Sequence, residues 1–254
     1  MTIDSLAILG RSRFGLELTE QAILDTCREL DVSLTLVSPP HPPDHDLVRA
    51  NEAVAAAVDR SAGRLLGLCR VDPWDNGGAL EALERAAARP GIRGVLLNPF
   101  EENFRINDAR VKPVARKAAE LKLPVVVVSG IPWQSEATQV AQFADWSADN
   151  PVIMTNGGQY NISGLAQSDA EAAMALANVY LQTNGVYRED FLQRVVEEFG
   201  SERLLFASSA PYFDPRFEKR RVELLHVEER DRDAILERNA STLFSITSGK
   251  GAAA

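Results

Sequence analysis

Two adjacent serines, Ser208 and Ser209, end a short apolar run in the segment LLFASSAPYFDP. In a parallel sheet such a run presents the residues that follow it at the carboxyl edge, where the sites of these folds lie. A serine acts as a nucleophile when a base is positioned to take its proton, and no G-x-S-x-G turn surrounds this pair. Ser209 is a candidate nucleophile, and the alternative is that two small polar residues only fill space.

Candidate bases follow two other apolar runs. His41 and His45 lie in the proline-rich segment PPHPPDHD, and Asp72 follows the run LLGLCRV. An imidazole or a carboxylate within hydrogen-bond reach of a hydroxyl can take its proton, so His41 and Asp72 are predicted to be catalytic. The histidine segment has two alternatives: a new metal site, or a stiff solvated loop in which Asp46 caps the next helix.

Cationic and neutral hydrogen-bonding residues complete the candidate site. Arg11 and Arg13 in the first loop could hold a carboxylate or a phosphate bidentately, or could be ordinary loop charges. Arg70 is either a ligand contact or half of a buried ion pair with Asp72. The other strand ends carry hydroxyls and amides, which recognise ligands without titrating near neutral pH. The predicted ligand-binding residues among them are Asn98, Ser129, Thr155, Asn156 and Ser208.

Eight short apolar runs recur along the chain, and a stretch with helical periodicity follows each of them. Nearly continuous runs of Val, Leu and Ile are typical of parallel strands that helices cover on both faces. The strand candidates are SLAIL, SLTLVS, LLGLCRV, GVLLN, PVVVVS, PVIMT, VYLQT and LLFAS. Thr19, Asp46 and Ser135 are predicted N-caps of the helices, and Gly200 is predicted to end one helix in a left-handed conformation.

Eight β/α units in 254 residues predict an α/β fold, a closed (β/α)8 TIM barrel with an extra C-terminal helix, EERDRDAILERNASTLFSI, on its outside. An open doubly wound sheet is the alternative architecture. The first strand lacks a phosphate-binding glycine pattern, so a dinucleotide cofactor is not expected. The glycine-rich segment GGQYNISGL could be a lid, an anion nest or a plain turn. We predict one barrel domain over residues 1–247 and a flexible tail over residues 248–254.

The bulk composition bears on partners and compartment. Hydrophobic residues make up 45% of the chain and the formal net charge is −9, which indicates a globular protein without an electrostatic reason to bind nucleic acid or an anionic membrane. The sequence has no basic leader and no run of 18 apolar residues, so we expect a cytoplasmic protein. Cys27 and Cys69 fall in a helical and a strand segment and are expected to be reduced packing residues.

Several longer blocks occur in the order in which one enzyme family has them. They are IDSLAILG, RLLGLCRVDPWDNGGALEALERA, GIRGVLLNPFEENFRINDARVKPVARKAAELKLPVVVVSG, PVIMTNGG and EEFGSERLLFASSAPYFDP. In residue choice and spacing they resemble the amidohydrolase-related family, the branch of the amidohydrolase superfamily that includes decarboxylases and hydrolases of small carboxylated ring compounds. The resemblance covers nearly the whole chain, and it implies hydrolase ancestry and a tendency to form homo-oligomers.

The resemblance also implies a divalent metal. The family holds it with a His-x-His pair on the first strand, histidines that end the fifth and sixth strands, and an aspartate that ends the eighth. At those positions this sequence has Leu6 and Ile8, Val128, Thr155 or Asn156, and Ser209. None of these is an ordinary zinc ligand, so we expect no metal cofactor and a dry hydrocarbon floor in the barrel.

Two functions remain open at this point. The first is a metal-independent, lactonase-like hydrolase of a small carboxylated ring compound, with Ser209, Asp72 or His41 in the chemistry and an arginine on the substrate carboxylate. The second is a catalytically inactive barrel that binds a small metabolite or a protein partner. The loss of the metal ligands favours the second, whereas the polar residues kept at the strand ends permit the first.

Overall fold

Eight parallel strands form the centre of the computed structural model, which describes residues 2–159, 164–186 and 188–246. They are β1 (Ile3–Ile8), β4 (Leu34–Ser38), β5 (Leu65–Arg70), β6 (Ile92–Leu97), β7 (Val125–Val127), β8 (Val152–Met154), β9 (Val179–Gln182) and β10 (Leu204–Leu205). Two further strands, β2 (Gly10–Arg11) and β3 (Glu17–Leu18), form a small antiparallel hairpin in the first loop. All eight strands predicted from the apolar runs are confirmed.

The barrel closes between its first and last strands. Each strand pairs with the next one along the chain, from β1 to β4 and onward to β10. The backbone N–H of Ser5 donates to the carbonyl of Phe206 at 3.0 Å, and the N–H of Ser209 donates to the carbonyl of Leu6 at 2.8 Å. An open sheet would leave these two edges unpaired, so the (β/α)8 architecture is confirmed over the doubly wound alternative.

Helices surround the strands in strict alternation. They are α1 (Glu20–Glu29), α2 (Leu47–Arg60), α3 (Asn76–Ala87), α4 (Lys112–Glu120), α5 (Ala137–Trp146), α6 (Gly164–Met174), α7 (Glu189–Phe199) and α8 (Pro215–Glu223). Each of them follows one of the eight apolar runs, as helical periodicity predicts. The alternation of buried strands and amphipathic helices in the sequence therefore specifies the architecture.

The helix termini confirm part of the capping prediction. The side chains of Thr19 and Asp46 accept from the backbone N–H groups of Ala22 and Arg49. The Ser135 prediction is wrong, because Glu136 is the N-cap and forms a capping box with Gln139. Gly200 ends α7 with a positive φ of 89°, but its ψ of 153° is extended rather than left-handed helical.

Apolar side chains form two layers that the strands separate. Residues such as Val95, Leu97, Val125 and Val127 point outward and pack beneath the helices. Their neighbours along the strands point inward, so Leu96 and Val126 belong to the cluster inside the barrel. Residues of opposite orientation alternate along a strand, and both faces are covered, which explains the continuous apolar runs in the sequence.

The C-terminal segment contributes to both layers. It consists of α9 (Glu229–Asp233), a π-helical turn at Ala234–Arg238 and α10 (Asn239–Leu243). Ile235 joins the outer layer, as expected for a helix on the outside, whereas Ala240 and Phe244 join the cluster inside the barrel. This part of the prediction is corrected: the segment also packs against the barrel interior. Within the described ranges, no helix is long and apolar enough to cross a bilayer.

Three smaller predictions concern the cysteines, the tail and the glycine-rich segment. Cys27 and Cys69 are buried and free, as expected for packing residues. The tail at residues 248–254, and residues 160–163 of the segment GGQYNISGL, lie outside the described residues.

Candidate functional site

Hydrocarbon forms the floor of the barrel. Leu6 and Ile8 on β1 point inward and pack in one cluster with residues of the other strands, and Val128 packs against that cluster. These are three of the positions at which the resemblance would place metal ligands. Side chains of this kind exclude water and offer no lone pairs. The expected apolar floor is therefore present.

A cavity of about 120 Å³ lies above this floor, at the carboxyl ends of the strands. Its apolar walls come from Leu6, Ile8, Phe14, Phe100, Val128, Ile131 and Phe213, and its polar lining comes from Arg70, Asn98, Glu101, Thr155, Asn156, Ser209 and Tyr212. Phe14 and Phe100 stack with their ring centroids 6.1 Å apart at the mouth. A cavity of about 150 Å³ holds a benzene molecule, so this one has room for about a single ring.

The Arg70 guanidinium is buried between two carboxylates. Its Nε donates to Glu102 Oε1 at 2.8 Å, its Nη2 contacts Glu101 Oε2, and its Nη1 donates to the carbonyl of Pro39 at 3.1 Å. The side chain is 1% exposed. Asp72 is not part of this cluster. The alternative in which Arg70 forms a buried ion pair with Asp72 is therefore wrong. Two carboxylates more than neutralise one guanidinium, and Arg70 is not a free cation for a ligand.

His41 extends this cluster toward the surface. Its Nδ1 lies 2.8 Å from Glu102 Oε1 and its Nε2 lies 2.9 Å from Nδ1 of His45, which is exposed. Its backbone N–H donates to Glu101 Oε2 at 3.2 Å. His41 is not among the residues that line the cavity. The imidazole contacts one of the loop acids that hold Arg70, and no hydrogen bond between described residues joins it to Ser209.

The two serines follow β10, and their side chains point in different directions. Ser209 has a φ of 50° and lines the cavity. Ser208 points away from the cavity, and its hydroxyl donates to Asp4 Oδ2 at 2.6 Å. The left-handed φ of Ser209 turns the backbone out of the extended conformation at this point. Ser209 therefore lies at the candidate site. Ser208 lies in the barrel seam, which is the junction between β1 and the segment that follows β10.

A chain of hydrogen bonds positions the polar residues after β7 and β8. Ser129 Oγ donates to the carbonyl of Thr155 at 2.7 Å, and Asn156 Nδ2 donates to the carbonyl of Ser129 at 3.1 Å. Asn184 Nδ2 in turn donates to Asn156 Oδ1 at 3.0 Å. Thr155 and Asn156 line the cavity, whereas Ser129 supports them from behind. Asn98 also lines the cavity, and its Oδ1 accepts from the backbone N–H of Glu101 at 3.3 Å.

Three other predicted site residues lie apart from the cavity. Arg11 and Arg13 are exposed in the first loop. Asp72 accepts from the N–H of Trp74 at 2.9 Å, and burial, with a contribution from the charge of Glu102, raises its pKa. The structure therefore groups five predicted residues at the cavity, namely Arg70, Asn98, Thr155, Asn156 and Ser209. It does not bring His41, Asp72, Arg11, Arg13, Ser129 or Ser208 into the lining.

Two polar residues of the lining were not among the predicted ones. Tyr212 donates its hydroxyl to Glu101 Oε1 at 3.2 Å. Burial, followed by the nearby charge of Glu101, raises the pKa of Tyr212 to about 12, so the phenol keeps its proton. Glu101 is buried, which is rare for an unpaired acid and is explained here by Arg70. A signal was available in the sequence, since Tyr212 follows the serine pair and Glu101 follows the fourth strand of the barrel.

Two buried acids lie outside the cavity. Burial raises the pKa of Asp4 to about 6, against the hydrogen bonds from Ser208 that lower it. Burial also raises the pKa of Glu218 to about 7, while Arg221 and the N–H of Gly185 lower it. Asp4 was detectable in the sequence as a lone acid in the apolar run at the start of the chain. Acids in such surroundings are candidates for functional groups.

The donors at the carboxyl ends of the strands do not fit a divalent metal. Leu6, Ile8 and Val128 have no ligand atoms, and Thr155, Asn156 and Ser209 carry neutral oxygens and an amide nitrogen. Zinc and similar ions are held by imidazole, thiolate and carboxylate groups. Over the ranges that the structure describes, no group of three or more His, Cys, Asp or Glu side chains is arranged to hold an ion.

Solved structures with the same fold include several enzymes that act on ring acids. The chain superposes on 2,6-dihydroxybenzoate decarboxylase from Rhizobium with a TM-score of 0.76 at 17% identity, covering 96% of this chain and 98% of the other. A dihydroxybenzoic acid decarboxylase from Polaromonas, solved with bound manganese, gives 0.73 at 17% identity, covering 96% of both chains. Identities this low show the shared fold alone.

A third structure extends the likeness beyond decarboxylases. 4-Oxalomesaconate hydratase from Rhodopseudomonas palustris gives a TM-score of 0.71 at 18% identity, with 96% of both chains covered. Comparison with curated protein sequences gives no match. The sequence profile of the amidohydrolase family matches residues 22–246, which is most of the chain and includes seven of the eight barrel strands. The chain is therefore a member of this amidohydrolase family.

Proposed function

We propose that this protein is a small-molecule-binding barrel that takes an uncharged, single-ring compound at the carboxyl ends of its strands and does not use metal-assisted chemistry. The observation that carries the proposal is the lining of the 120 Å³ cavity. Hydrocarbon and phenyl groups form its walls, and hydroxyl and amide groups converge on it. Such a lining recognises a flat, mostly apolar molecule by a few directed hydrogen bonds.

The charges at the cavity support an uncharged ligand. Arg70 and Glu101 are the charged residues of the lining, and each is already paired with the other. A carboxylated ring, which the family resemblance suggested, would bring a further negative charge next to Glu101 and Glu102. Like charges in a buried site are repulsive unless a cation compensates them. The pairing of Arg70 with Glu101 therefore favours an uncharged ring compound over its carboxylated counterpart.

A second candidate is metal-independent hydrolysis of a neutral ring ester such as a lactone. Ser209, Glu101 and Tyr212 line the same cavity, which favours this candidate. In this reaction the protonated Tyr212 hydroxyl would turn from Glu101 to the carbonyl oxygen that gains charge, which leaves Glu101 free to accept a proton from the attacking water. Glu101 then returns this proton to the ring oxygen as the ring C–O bond breaks, which gives a hydroxy acid.

One set of measurements tests both candidates. Calorimetry is carried out with matched pairs, for example 2-pyrone against 2-pyrone-carboxylate and phenol against benzoate, on protein purified without chelators. We expect the neutral member of each pair to bind at least tenfold more tightly, and Asn156→Ala and Ser209→Ala to weaken it. Trp133→Ala is the matched control, because Trp133 is 76% exposed and does not line the cavity.

Other outcomes would contradict the proposal. Tighter binding of the carboxylated members would show that Arg70 is available to ligands. Elemental analysis that finds one equivalent of zinc, manganese or iron would overturn the metal-free function. A further outcome is that the wild type turns over a lactone, with the activity lost in Glu101→Gln and kept in Trp133→Ala. That result would favour the hydrolase over the protein that only binds its ligand. Homo-oligomerisation, the absence of nucleic-acid and membrane partners, and a cytoplasmic location stay predictions.

A further inference from the structure

A second cavity, of about 410 Å³, lies outside the barrel. It is bounded by α1 on one side and by the segment 206–216 on the other, with β1 and β4 at its floor. Tyr212 and Phe213 separate it from the cavity at the mouth, since both residues line both spaces. This volume is within the range of pockets that hold small organic ligands.

The floor of this second cavity carries the Asp4 carboxylate. Asp4 Oδ1 accepts from the N–H groups of Ser208 and Leu6, at 2.8 and 3.2 Å, and Oδ2 accepts from the Ser208 hydroxyl. A carboxylate has about four acceptor sites, so one remains. None of the ion pairs between described residues includes Asp4, and no cation contributes to the shift of its pKa to about 6. The charged group on α8 that interacts with it is Glu218, another carboxyl, whose pKa is raised to about 7 chiefly by burial and in part by the charge of Asp4. At neutral pH a buried negative charge therefore stands without a counter-charge.

The walls and rim of this cavity determine which kind of ligand could supply a counter-charge to Asp4. Ile23, Val32, Ala7 and Phe206 give the walls an apolar character. At the rim, Arg216 donates to both oxygens of Asp214, at 3.0 and 2.7 Å, and lies 3.8 Å from Glu29. Floor and rim together hold three carboxylates and one guanidinium. A cation is attracted into this cavity and an anion is repelled.

We propose that this cavity is a second ligand site, which binds a primary ammonium compound with a short apolar body and pairs its ammonium group with Asp4. An ammonium group has three N–H donors. One of them bonds to the free acceptor site of Asp4, and the hydroxyls of Thr26 and Thr35, which line the same cavity, are the acceptors available to the others. The apolar body then lies against Ile23 and Val32.

Occupancy of this site stabilises the barrel seam. Asp4 belongs to β1, and Ser208 follows β10. A bound ammonium neutralises the carboxylate that joins these two strands, so the folded protein gains stability in proportion to the ligand concentration. The bound ammonium group favours the ionised form of Asp4, so a protonated Asp4 loses its proton when the ligand binds. Binding between pH 5 and 6 is therefore accompanied by proton release.

The test uses three probes of one shape: benzylamine, benzyl alcohol and benzyltrimethylammonium. At pH 7.5 we expect benzylamine to raise the Tm and to bind at least tenfold more tightly than benzyl alcohol in calorimetry. The quaternary cation lacks N–H donors and binds weakly. At pH 5 most Asp4 side chains are protonated, so benzylamine affinity falls about tenfold, with proton uptake or release detected by comparing buffers of different ionisation enthalpy.

Two variants separate the site from a structural role of Asp4. Asp4→Asn removes the charge and is expected to reduce benzylamine affinity to that of the alcohol. Thr26→Phe leaves Asp4 in place and fills the cavity from α1, so it abolishes binding even if Asp4→Asn fails to fold. Asp108→Asn, which changes an acid that does not line this cavity, is the control and should bind benzylamine as the wild type does.

The proposal fails if benzyl alcohol binds as tightly as benzylamine, if no probe binds at millimolar concentration, or if Thr26→Phe binds like the wild type. It is independent of the proposed ring site at the barrel mouth. Ser209→Ala weakens ring binding there and should leave benzylamine binding unchanged.

Discussion

The Asp4 carboxylate accepts hydrogen bonds from both the backbone N–H and the hydroxyl of Ser208, at 2.8 and 2.6 Å, although the two residues are 204 positions apart. The contact joins the first strand of the barrel to the segment that follows the last strand. Backbone bonds of the same seam lie beside it, from Ser5 to Phe206 and from Ser209 to Leu6. Closure of the cylinder therefore depends in part on a buried carboxylate.

The first prediction concerns stability against pH in Asp4→Asn. Burial raises the pKa of Asp4 from 3.8 to about 6, so the folded protein keeps a proton that the unfolded chain has already released. The free energy of unfolding therefore falls as the pH rises from about 4 to about 6, by about 3 kcal/mol for this group. Asp4→Asn should lose this part of the pH dependence, which urea unfolding at pH 4 and pH 7 measures.

The control is Asp108, whose contribution to the free energy of unfolding changes with pH in the opposite direction. Hydrogen bonds from Arg110 hold the pKa of Asp108 well below its usual range. This group contributes stability above its unfolded pKa, and the contribution is lost as the pH falls, so Asp108→Asn should flatten the acid side of the curve. A pH dependence of Asp4→Asn that equals that of the wild type would contradict the assignment of the buried charge to Asp4.

The second prediction contrasts the neighbouring serines. Ser208→Ala removes the hydroxyl that donates to Asp4 and accepts from the N–H of Ala210, so we expect a loss of about 2 kcal/mol in the free energy of unfolding. Ser209→Ala should cost less than about 1 kcal/mol, because Ser209 lines a cavity. Urea unfolding at pH 7 compares the two. Equal losses would show that the serines do not differ in role as the structure indicates.

The third prediction concerns the buried cluster at Arg70. Arg70→Met leaves Glu101 and Glu102 buried without their cation, and we expect a loss of about 3–5 kcal/mol in the free energy of unfolding. Removing both acids as well, in the combination with Glu101→Gln and Glu102→Gln, should recover at least half of the loss, because no uncompensated charge remains. Denaturant titration of the single and triple variants measures both effects. A loss below about 1 kcal/mol in Arg70→Met would mean that water reaches the cluster.

The architecture follows from local patterns in the chain. Continuous apolar runs such as PVVVVS alternate with helical stretches, and each run became a barrel strand. These patterns succeed because a strand covered on both faces and an amphipathic helix each impose a period on the sequence. The absence of ligand atoms at Leu6, Ile8 and Val128 is likewise readable from residue types, and it predicts the apolar floor.

The partner of a buried charge depends on long-range geometry. Sequence proximity suggested Asp72 for Arg70, but the loop after β6 brings Glu101 and Glu102 to the guanidinium instead, across 31 and 32 positions. His41, a predicted base, belongs to the same cluster because its imidazole contacts Glu102. No periodicity encodes such contacts, because they depend on how two loops meet above the strands.

Residue types alone determined that this chain builds a (β/α)8 barrel of the amidohydrolase family with a hydrocarbon floor. Only the tertiary structure decided which polar groups face the cavity and which hold the barrel together. Ser208 and Ser209 show why: they are neighbours after the end of β10, yet one contacts Asp4 and the other lines the cavity. Their directions depend on hydrogen bonds to β1 and on the positive φ of Ser209, which residue type alone does not reveal.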